Sequence, residues 1–400
     1  MRSRFVAFAL AASLAVFGAA CSSGAGKAYV VDTFVMSTAY RPPPPPASPV
    51  GPRRYELLAG DLHCHVSPPD PAWHVTRDLA DTVELSRKEK LDFVVLTPHL
   101  WARFYLDEGL RAQAVSWQKM LRAEIAAEAP DGLLVIPGFE YTDGAYGHAG
   151  MAFADLEHVL AEVPLDESRS HPERFFERWV EDGGLLVVNH PLLRPIASSF
   201  AMAREDLSWR PFFSEGPFPP DIAAIDRLAT GFEVYNLSVT EMRDRHLLGD
   251  RDRTLLESVH RLDVEIEKRG RRMTPVGGSD SHSHHLRATT FVLATGRSPE
   301  AIRDGLAAGR VCVRSPGACS LEARPPRGDW VGVGERLGAT DELELRAQGR
   351  DIEMIVDGEV VARPEAGQVA RVGVEKGACH VVRARVGEGF SAPIYVGCWF

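Results

Sequence analysis

Apolar, strand-like runs along this chain repeatedly end in a His, Asp or Glu residue. Residues 55–59 are typical of a short strand that leads into Gly60-Asp61-Leu62-His63-Cys64-His65. Because side chains alternate between the two faces of a strand, His63 and His65 are expected on one face and Cys64 on the other. Two imidazoles at the end of a strand suit a divalent transition metal. A single His-x-His pair is weak evidence, since such pairs also occur on protein surfaces.

The same pattern recurs further along the chain. Apolar runs at 91–98, 132–139, 183–189 and 275–279 lead into His99, Glu140, His190 and Asp280. Such positions lie where a β/α barrel builds its active site. With residues of the intervening loops they give nine candidate ligands, namely His63, His65, Asp70, His99, Glu140, His148, His190, Asp280 and His282. Each alone is more often a structural residue, but together they exceed the coordination of one metal. We therefore predict two or three divalent metals sharing a bridging carboxylate and a hydroxide.

The order of these residues resembles that of the PHP (polymerase and histidinol phosphatase) superfamily of metallohydrolases, over roughly residues 55–315. The segments Gly-Phe-Glu-Tyr-Thr at 138–142, Gly147-His148 and Ala-Pro-Ile-Tyr-Val at 392–396 look most like its carbaryl-hydrolase-like branch. The resemblance implies an α/β fold, a distorted seven-stranded β/α barrel, with all nine residues around Mn, Fe or Zn. One departure is Thr97-Pro98-His99, where the family commonly has Thr-Asp-His. The missing Asp removes a group that would orient His99.

An amidohydrolase barrel is the rival fold, since it also opens with His-x-His and ends with Asp. That fold usually bridges its metals with a carboxylated Lys on a central strand. Here the corresponding strand ends in Glu140, and no Lys occurs between Lys119 and Lys268. The PHP interpretation is therefore favoured.

The N-terminus predicts export. Arg2 and Arg4 precede an apolar run over residues 5–20 that is short for a membrane span and typical of a signal peptide. Residues 18–23, Gly-Ala-Ala-Cys-Ser-Ser, resemble a bacterial lipobox, which predicts residues 1–21 as a signal peptide and Cys21 as a lipidated residue. Ordinary cleavage after Ala20 is the alternative. The expected product is an exported, membrane-anchored lipoprotein at the periplasmic face or cell surface.

Composition divides the rest of the chain into three parts. Residues 22–54 are Pro-rich and predict a stiff linker, or alternatively an arm packed on the barrel. Residues 55–318 alternate strand and helix signals and form the predicted barrel, with an irregular insertion at 194–229 that is either a lid or a surface loop. Residues 319–400 show short β-type runs and Gly turns, including Asp357-Gly358, and predict a small β-sandwich.

Six cysteines occur in the sequence, and five remain if Cys21 carries lipid. Export permits disulfides, so at least one cysteine is expected to stay unpaired. We predict Cys64 as the reduced residue. Cys312 with Cys319, and Cys379 with Cys398, are the candidate pairs, although the sequence does not fix this connectivity.

Charge and site chemistry together limit the function. The formal net charge of -10 argues against binding of nucleic-acid polymers and favours a small-molecule ester substrate. We predict a phosphoesterase in which a His or a water near the leaving group acts as general acid. His190 and His282 are the candidates if either is not fully engaged as a ligand. Arg194 and Arg287 are candidates for binding the substrate anion, with a solvated surface position as their alternative. A carboxylic or carbamic ester hydrolase on the same metals, or a non-enzymatic metal- or ligand-binding surface lipoprotein, are the other interpretations. The sequence indicates no protein partner.

Overall fold

The computed structural model describes residues 55–101, 103–128, 131–143, 146–191, 196–197, 204–205, 209, 221–244, 251–270 and 272–398. The predicted signal peptide with Cys21, the Pro-rich linker, Arg194 and much of the predicted insertion at 194–229 lie outside these residues. Within the described ranges, no helix combines the length and apolar character that crossing a membrane requires.

The architecture is mixed α/β. The described helices are α1 (Leu79–Lys88), α2 (Glu108–Glu128), α3 (Leu156–Glu162), α4 (Leu165–Ser170), α5 (Glu173–Glu181), α6 (Ile222–Asp226), α7 (Leu237–Asp244), α8 (Arg251–Arg269) and α9 (Pro299–Ala307). Short 3-10 turns cover Phe104–Leu106 and Pro316–Ser320.

Strands up to residue 313 build the first part of the molecule. They are β1 (Glu56–Cys64), β2 (Phe93–Leu96), β3 (His99–Trp101), β4 (Leu134–Asp143), β5 (Gly147–Ala152), β6 (Leu185–Val188), β7 (Ile196–Ala197), β8 (Arg204–Glu205), β9 (Gly231–Asn236), β10 (Thr274–Gly278), β11 (Thr290–Ala294) and β12 (Val311–Val313).

Shorter strands follow in the C-terminal part. They are β13 (Glu322–Arg324), β14 (Val331–Gly332), β15 (Arg336–Leu337), β16 (Glu342–Arg346), β17 (Ile352–Val356), β18 (Glu359–Ala362), β19 (Ala370–Gly373), β20 (His380–Val386), β21 (Gly389–Ser391) and β22 (Ile394–Val396).

The central sheet brings the predicted ligand segments to one end. Its hydrogen-bonded order is β10-β9-β6-β5-β4-β2-β1-β11-β12-β21-β20-β17-β18. Neighbours β1 and β2, β2 and β4, β6 and β9, and β9 and β10 run parallel. Strands β1 and β10, which lie six places apart in this order, also meet. Cys64 bridges to Ser281, and the Asp280 amide donates to the His63 carbonyl at 2.7 Å. This contact places the carboxyl ends of β1 and β10 side by side.

Local sequence explains the close approach of β10 to its neighbours. All five residues of β10 are buried, and it carries Gly277 and Gly278 where most buried parallel strands carry branched residues. A Cβ atom added at Gly278 would overlap the Cβ atom of His63 and the Oε1 atom of Glu233. Only glycine therefore lets β10 lie this near to β1 and β9.

The C-terminal strands continue the central sheet. β12 pairs antiparallel with β21, which pairs with β20, and β20 with β17. A second sheet has the order β14-β13-β16-β19, and Leu345 of this sheet shares one apolar core with Met354 and Val382 of the first. Arg383 on β20 is buried and donates from Nε to Asp263 on α8 at 2.8 Å. The C-terminal strands are thus tied to the α/β part by backbone pairing and by a buried ion pair.

The cysteine predictions are confirmed. Cys312 is bonded to Cys319 and Cys379 to Cys398, while Cys64 is free and fully buried. Burial raises the pKa of the Cys64 thiol to about 11, even though Arg77 opposes this rise. The thiol is therefore neutral near pH 7.

Candidate metal centre

The structure brings all nine predicted ligands together. His63 lies near the end of β1, with His65 just beyond it and Asp70 in the following loop. His99 opens β3, Glu140 and His148 lie on β4 and β5, His190 follows β6, and Asp280 and His282 follow β10. Seven of the nine are buried, and Asp280 and His282 are half-buried.

Glu140 lies at the centre of the cluster. Its Oε1 atom is 3.3 Å from His63 Nε2, 3.3 Å from His190 Nε2 and 3.2 Å from His148 Nδ1. Its Oε2 atom is 3.3 Å from His99 Nε2. One buried carboxylate thus faces four imidazoles on four different strands or strand ends, which is the position expected of a bridging ligand.

Asp280 is a second carboxylate that faces several imidazoles. Its Oδ1 atom lies 3.4 Å from His63 Nε2 and 3.2 Å from His65 Nε2. The Nδ1 atom of His282 lies 3.0 Å from the Asp280 carbonyl oxygen, and the His282 ring stacks on that of His65 with centroids 4.1 Å apart. Because a carbonyl only accepts, His282 Nδ1 carries the proton and its Nε2 lone pair is free for a ligand.

Three sets of donor atoms lie close enough to hold metal ions. Within each set the atoms are within 4.8 Å of one another, and the sets are His63, His65 and Asp280; His63, Glu140 and His190; and His65, His99 and His282. The described part of the chain therefore offers three overlapping sites that share His63 and His65.

Carboxylates behind the imidazoles fix their tautomers. Asp70 accepts from Nδ1 of His65 at 3.1 Å and from Nδ1 of His99 at 3.0 Å. Asp70 lies outside the three sets of donor atoms, and its role as a direct ligand stays a prediction. It does supply the orienting contact to His99 that Pro98 cannot give. The lone pairs of both Nε2 atoms then point into the cluster.

Glu233 performs the same task for His63 and was missed by the sequence analysis. Its Oε1 atom accepts from His63 Nδ1 at 3.1 Å, and its Oε2 atom accepts from the His190 amide at 2.6 Å and from Asn236 Nδ2 at 3.1 Å. A sequence signal existed, because Glu233 is the one charged residue of β9, a fully buried strand. A carboxylate in such a strand is rare unless it has a partner.

Asp61 joins the two strand ends that carry the ligands. Its Oδ1 atom accepts from the His63 amide at 2.8 Å and from the Ser279 amide at 3.0 Å. Burial raises the pKa of Asp61 to about 6, against the lowering effect of these amides. Asp61 therefore positions the backbone of both segments.

Two ligand positions have an unusual backbone. His190 has φ of 26° and Asp280 has φ of 51°, in or near the left-handed region that residues other than glycine rarely adopt. Such conformations persist where surrounding contacts hold them, as the Glu233 and His63 hydrogen bonds do here. They are typical of functional sites.

The cluster is electrostatically coupled. Burial disfavours the charged form of Glu140, but His148 and His63 outweigh it and hold the pKa of Glu140 well below its usual range. Burial likewise opposes protonation of His65, yet its bonds to Asp280 and Asp70 raise the pKa of His65 to about 9. The metal-free cluster therefore holds protons that metal ions would displace.

The donor set fits divalent metals. His63 Nε2 and His65 Nε2 lie 3.3 Å apart, although both Nδ1 atoms already face carboxylates. Two acceptor lone pairs that face each other need a proton or a cation between them. His190 Nδ1 is also buried without a hydrogen-bond partner among the described residues. Imidazole and carboxylate donors of this kind suit Zn, Fe or Mn.

The predicted catalytic and substrate residues differ in position. His282 is the more open of the two proposed acids, with 23% of its side chain exposed against 4% for His190. Arg287 is half-buried in the segment between His282 and β11, and its substrate role stays a prediction. Arg194 lies outside the described residues.

Comparisons with known proteins give the following similarities. No family model matches the chain, and no curated protein matches it. A two-domain protein from Bacteroides vulgatus containing a predicted PHP-like metal-dependent phosphoesterase is 16% identical over 85% of this chain and 94% of its own, with a TM-score of 0.42. PsfC from Pseudomonas syringae is 16% identical over 62% of this chain and 87% of its own, with a TM-score of 0.38. Endonuclease Q in complex with a 27-mer duplex carrying an abasic lesion is 16% identical over 63% of this chain and 56% of its own, with a TM-score of 0.36.

Proposed function

We propose that the protein is an exported metal-dependent hydrolase of the PHP superfamily that acts on phosphate esters of small molecules. The observation that carries this proposal is the convergence of three sets of imidazole and carboxylate donors around Glu140 and Asp280. The order of these residues along the chain supports the family assignment. Within the superfamily, we propose that the protein belongs to the carbaryl-hydrolase-like branch.

Two or three divalent metals, Mn, Fe or Zn, would supply Lewis acidity and an activated water at this centre. The chain's own residues prepare the site for that chemistry. Glu140 joins the donor sets, while Asp70 and Glu233 keep the imidazoles of His65, His99 and His63 in the ligating tautomer. Whichever of His282 and His190 is not fully engaged as a ligand would deliver a proton to the leaving group.

We also propose a barrel and a sandwich as the two parts of the fold. Strands β1, β2, β4, β5, β6, β9 and β10 form the distorted seven-stranded barrel, supported by the contact between Cys64 and Ser281 that links its first and last strands. Residues 319–400 form a small β-sandwich, supported by the two sheets that share one apolar core there.

Export and membrane anchoring complete the proposal. The basic and apolar N-terminal segment ending at Cys21 supports both. The two disulfides of the C-terminal part are also typical of proteins outside the cytosol. The partners are then a small ester substrate and, through lipid, the membrane, with no nucleic-acid polymer.

The first experiment is elemental analysis of the purified protein, followed by assays of p-nitrophenyl phosphate, bis-p-nitrophenyl phosphate and 1-naphthyl carbamate with Mn, Fe and Zn. We expect two to three metal equivalents. His63→Ala and Glu140→Ala should lose metal and rate together, whereas His171→Ala, on an exposed side chain, should retain both. One weakly held metal, or full activity in Glu140→Ala, would refute the multinuclear centre.

A carbamic or carboxylic ester hydrolase is the second candidate. The observation that favours it is the ring of Trp101, which stacks on His99 and borders the cluster with an apolar face. Hydrolysis of naphthyl carbamate without any phosphatase activity would select this candidate. Tight metal binding without turnover of any ester class would select the binding lipoprotein instead.

A further inference from the structure

A fully buried arginine lies behind the metal cluster. Arg77 is two residues before α1, and none of its surface is exposed. Its guanidinium donates only to neutral groups among the described residues, and none of these partners is a carboxylate. Burial of a charge without an opposite charge is costly. Other contacts must therefore compensate the burial of Arg77.

All five N–H groups of the guanidinium have an acceptor. Nη1 donates to Ser281 Oγ at 2.8 Å and to the Ser283 carbonyl. Nη2 donates to Cys64 Sγ at 3.0 Å and to the His65 carbonyl at 3.1 Å. Nε donates to Thr82 Oγ1 at 2.9 Å. The planar fork of a guanidinium, rather than its charge alone, fits this set of acceptors.

These acceptors belong to two segments that carry candidate metal ligands and to one that does not. The first segment is the end of β1 with His65, and the second is 281–283, which contains His282. The third is α1, through Thr82. The first two segments also meet directly, because the His65 amide donates to the Ser281 carbonyl at 3.1 Å. The guanidinium therefore supports the junction between two ligand-bearing segments.

The junction determines how candidate ligands face one another. The ring of His65 stacks on that of His282 with centroids 4.1 Å apart, and on that of His99 at 4.2 Å. These three residues form one set of donor atoms, and His65 also belongs to the set with His63 and Asp280. The remaining set consists of His63, Glu140 and His190. A change at the junction should therefore affect the two sets that contain His65 and spare the remaining one.

We propose that Arg77 is a positioning residue whose contacts to the end of β1 and to 281–283 set the metal affinity of the two donor sets that contain His65. These contacts are here termed the Arg77 clamp. The proposal rests on the metal centre of the proposed function and names a residue on which two of its three donor sets depend. A lysine at this position keeps the positive charge, but its single nitrogen atom cannot reach acceptors on all three segments.

Two hydroxyl groups that accept from Arg77 provide a matched comparison. Ser281 Oγ lies on the ligand-bearing side at 2.8 Å and Thr82 Oγ1 on the α1 side at 2.9 Å. Both residues are fully buried. Ser281→Ala and Thr82→Val each remove one acceptor, but only Ser281→Ala weakens the Arg77 clamp. A difference between the two variants therefore separates the clamp from a general loss of stability.

The first measurement is titration of the metal-free protein with Mn²⁺ in competition with a chelating dye. Arg77→Met, Arg77→Lys and Ser281→Ala should each weaken the equivalents that depend on His65 by about tenfold or more. One equivalent should keep its wild-type affinity in these variants, and Thr82→Val should bind every equivalent as the wild-type protein does. Wild-type binding in Arg77→Met, or a loss that extends equally to every equivalent, would overturn the Arg77 clamp.

Hydrogen exchange in the metal-free protein tests the Arg77 clamp without relying on the metal centre. The His65 amide, which donates to the Ser281 carbonyl, reports on the junction. It should exchange about tenfold faster in Arg77→Met than in Thr82→Val, because only the former loses the clamp. Equal exchange rates would overturn the clamp even if the wild-type protein binds three metals. Faster exchange in a protein that binds no metal would reject the metal centre of the proposed function but support the clamp.

Discussion

At the scale of single residues, the carboxylates behind the imidazoles determine which nitrogen atoms are free to bind metal. Glu233 is buried and contacts His63 Nδ1. Glu233→Gln should weaken metal binding by about 10- to 100-fold. A Gln side chain can either donate to His63 Nδ1 or accept from it, so it no longer keeps the His63 proton on Nδ1. Competition titration with a chelating dye measures the affinity, with Glu167→Gln at an exposed ion pair as control. An unchanged affinity in a folded Glu233→Gln protein would show that Glu233 has no orienting role.

A substitution of Asp70 can distinguish an orienting residue from a direct metal ligand. If it only orients His65 and His99, Asp70→Asn should lower metal affinity but keep the same number of equivalents at saturation. If it is a direct ligand, as the sequence analysis predicts, one equivalent should be lost. Its contacts to two Nδ1 atoms favour the first result. Elemental analysis after dialysis against saturating Mn distinguishes the two roles.

At the scale of elements, Gly278 allows β10 to pass His63 and Glu233. Gly278→Ala should lower the free energy of unfolding by about 1 to 3 kcal/mol, because the added methyl group forces these buried side chains apart. Metal affinity should fall as well. Gly296→Ala is the matched control, since nothing lies within 4 Å of a Cβ atom there. Chemical denaturation of both variants measures the difference, and equal midpoints would contradict the close approach.

Elements with strong local signals were predictable from the sequence. Helix α1 lies in the part for which alternating helix and strand signals are predicted, and it follows Asp78, which caps it by accepting from the Asp81 amide. Strand β17 is one of the short β-type runs predicted within 319–400. The role of Glu233 was not predicted, because it depends on contacts between segments far apart in sequence. Periodicity shows which residues are apolar or buried, but not which of them meet across the sheet.

At the scale of the whole molecule, metal content and pH are coupled. In the metal-free protein the pKa of His65 is raised to about 9 from its ordinary 6.5. Its protonation therefore adds stability below pH 6.5, and this contribution is lost as the pH rises through 9. We expect the chelator-treated protein to lose up to about 3 kcal/mol between pH 6.5 and 9. Urea unfolding at both pH values measures this change.

Metal-loaded protein should behave in the opposite way, because metal ions compete with protons for the same imidazoles. Its stability relative to the metal-free form should increase over this pH range. Parallel changes in the two forms would show that the protons and the metals occupy different groups.

The lipid anchor is a second property of the whole chain. Cys21→Ser removes the thiol that lipidation requires and should release the exported protein from membranes. Cell fractionation followed by immunodetection measures the change, with Cys64→Ser as a control for loss of a cysteine. A Cys21→Ser protein that stays in the membrane fraction would refute the lipobox interpretation.

The pairing of β12 with β21 has a consequence for how this protein can be divided. Removing residues 319–400 would leave β12 as an edge with unpaired amides and carbonyls and would uncover the apolar face that Leu345 and Met354 now cover. Such an edge invites pairing with another copy of the chain. We therefore expect truncation after residue 318 to be poorly tolerated. The shortened chain should aggregate rather than behave as a smaller enzyme.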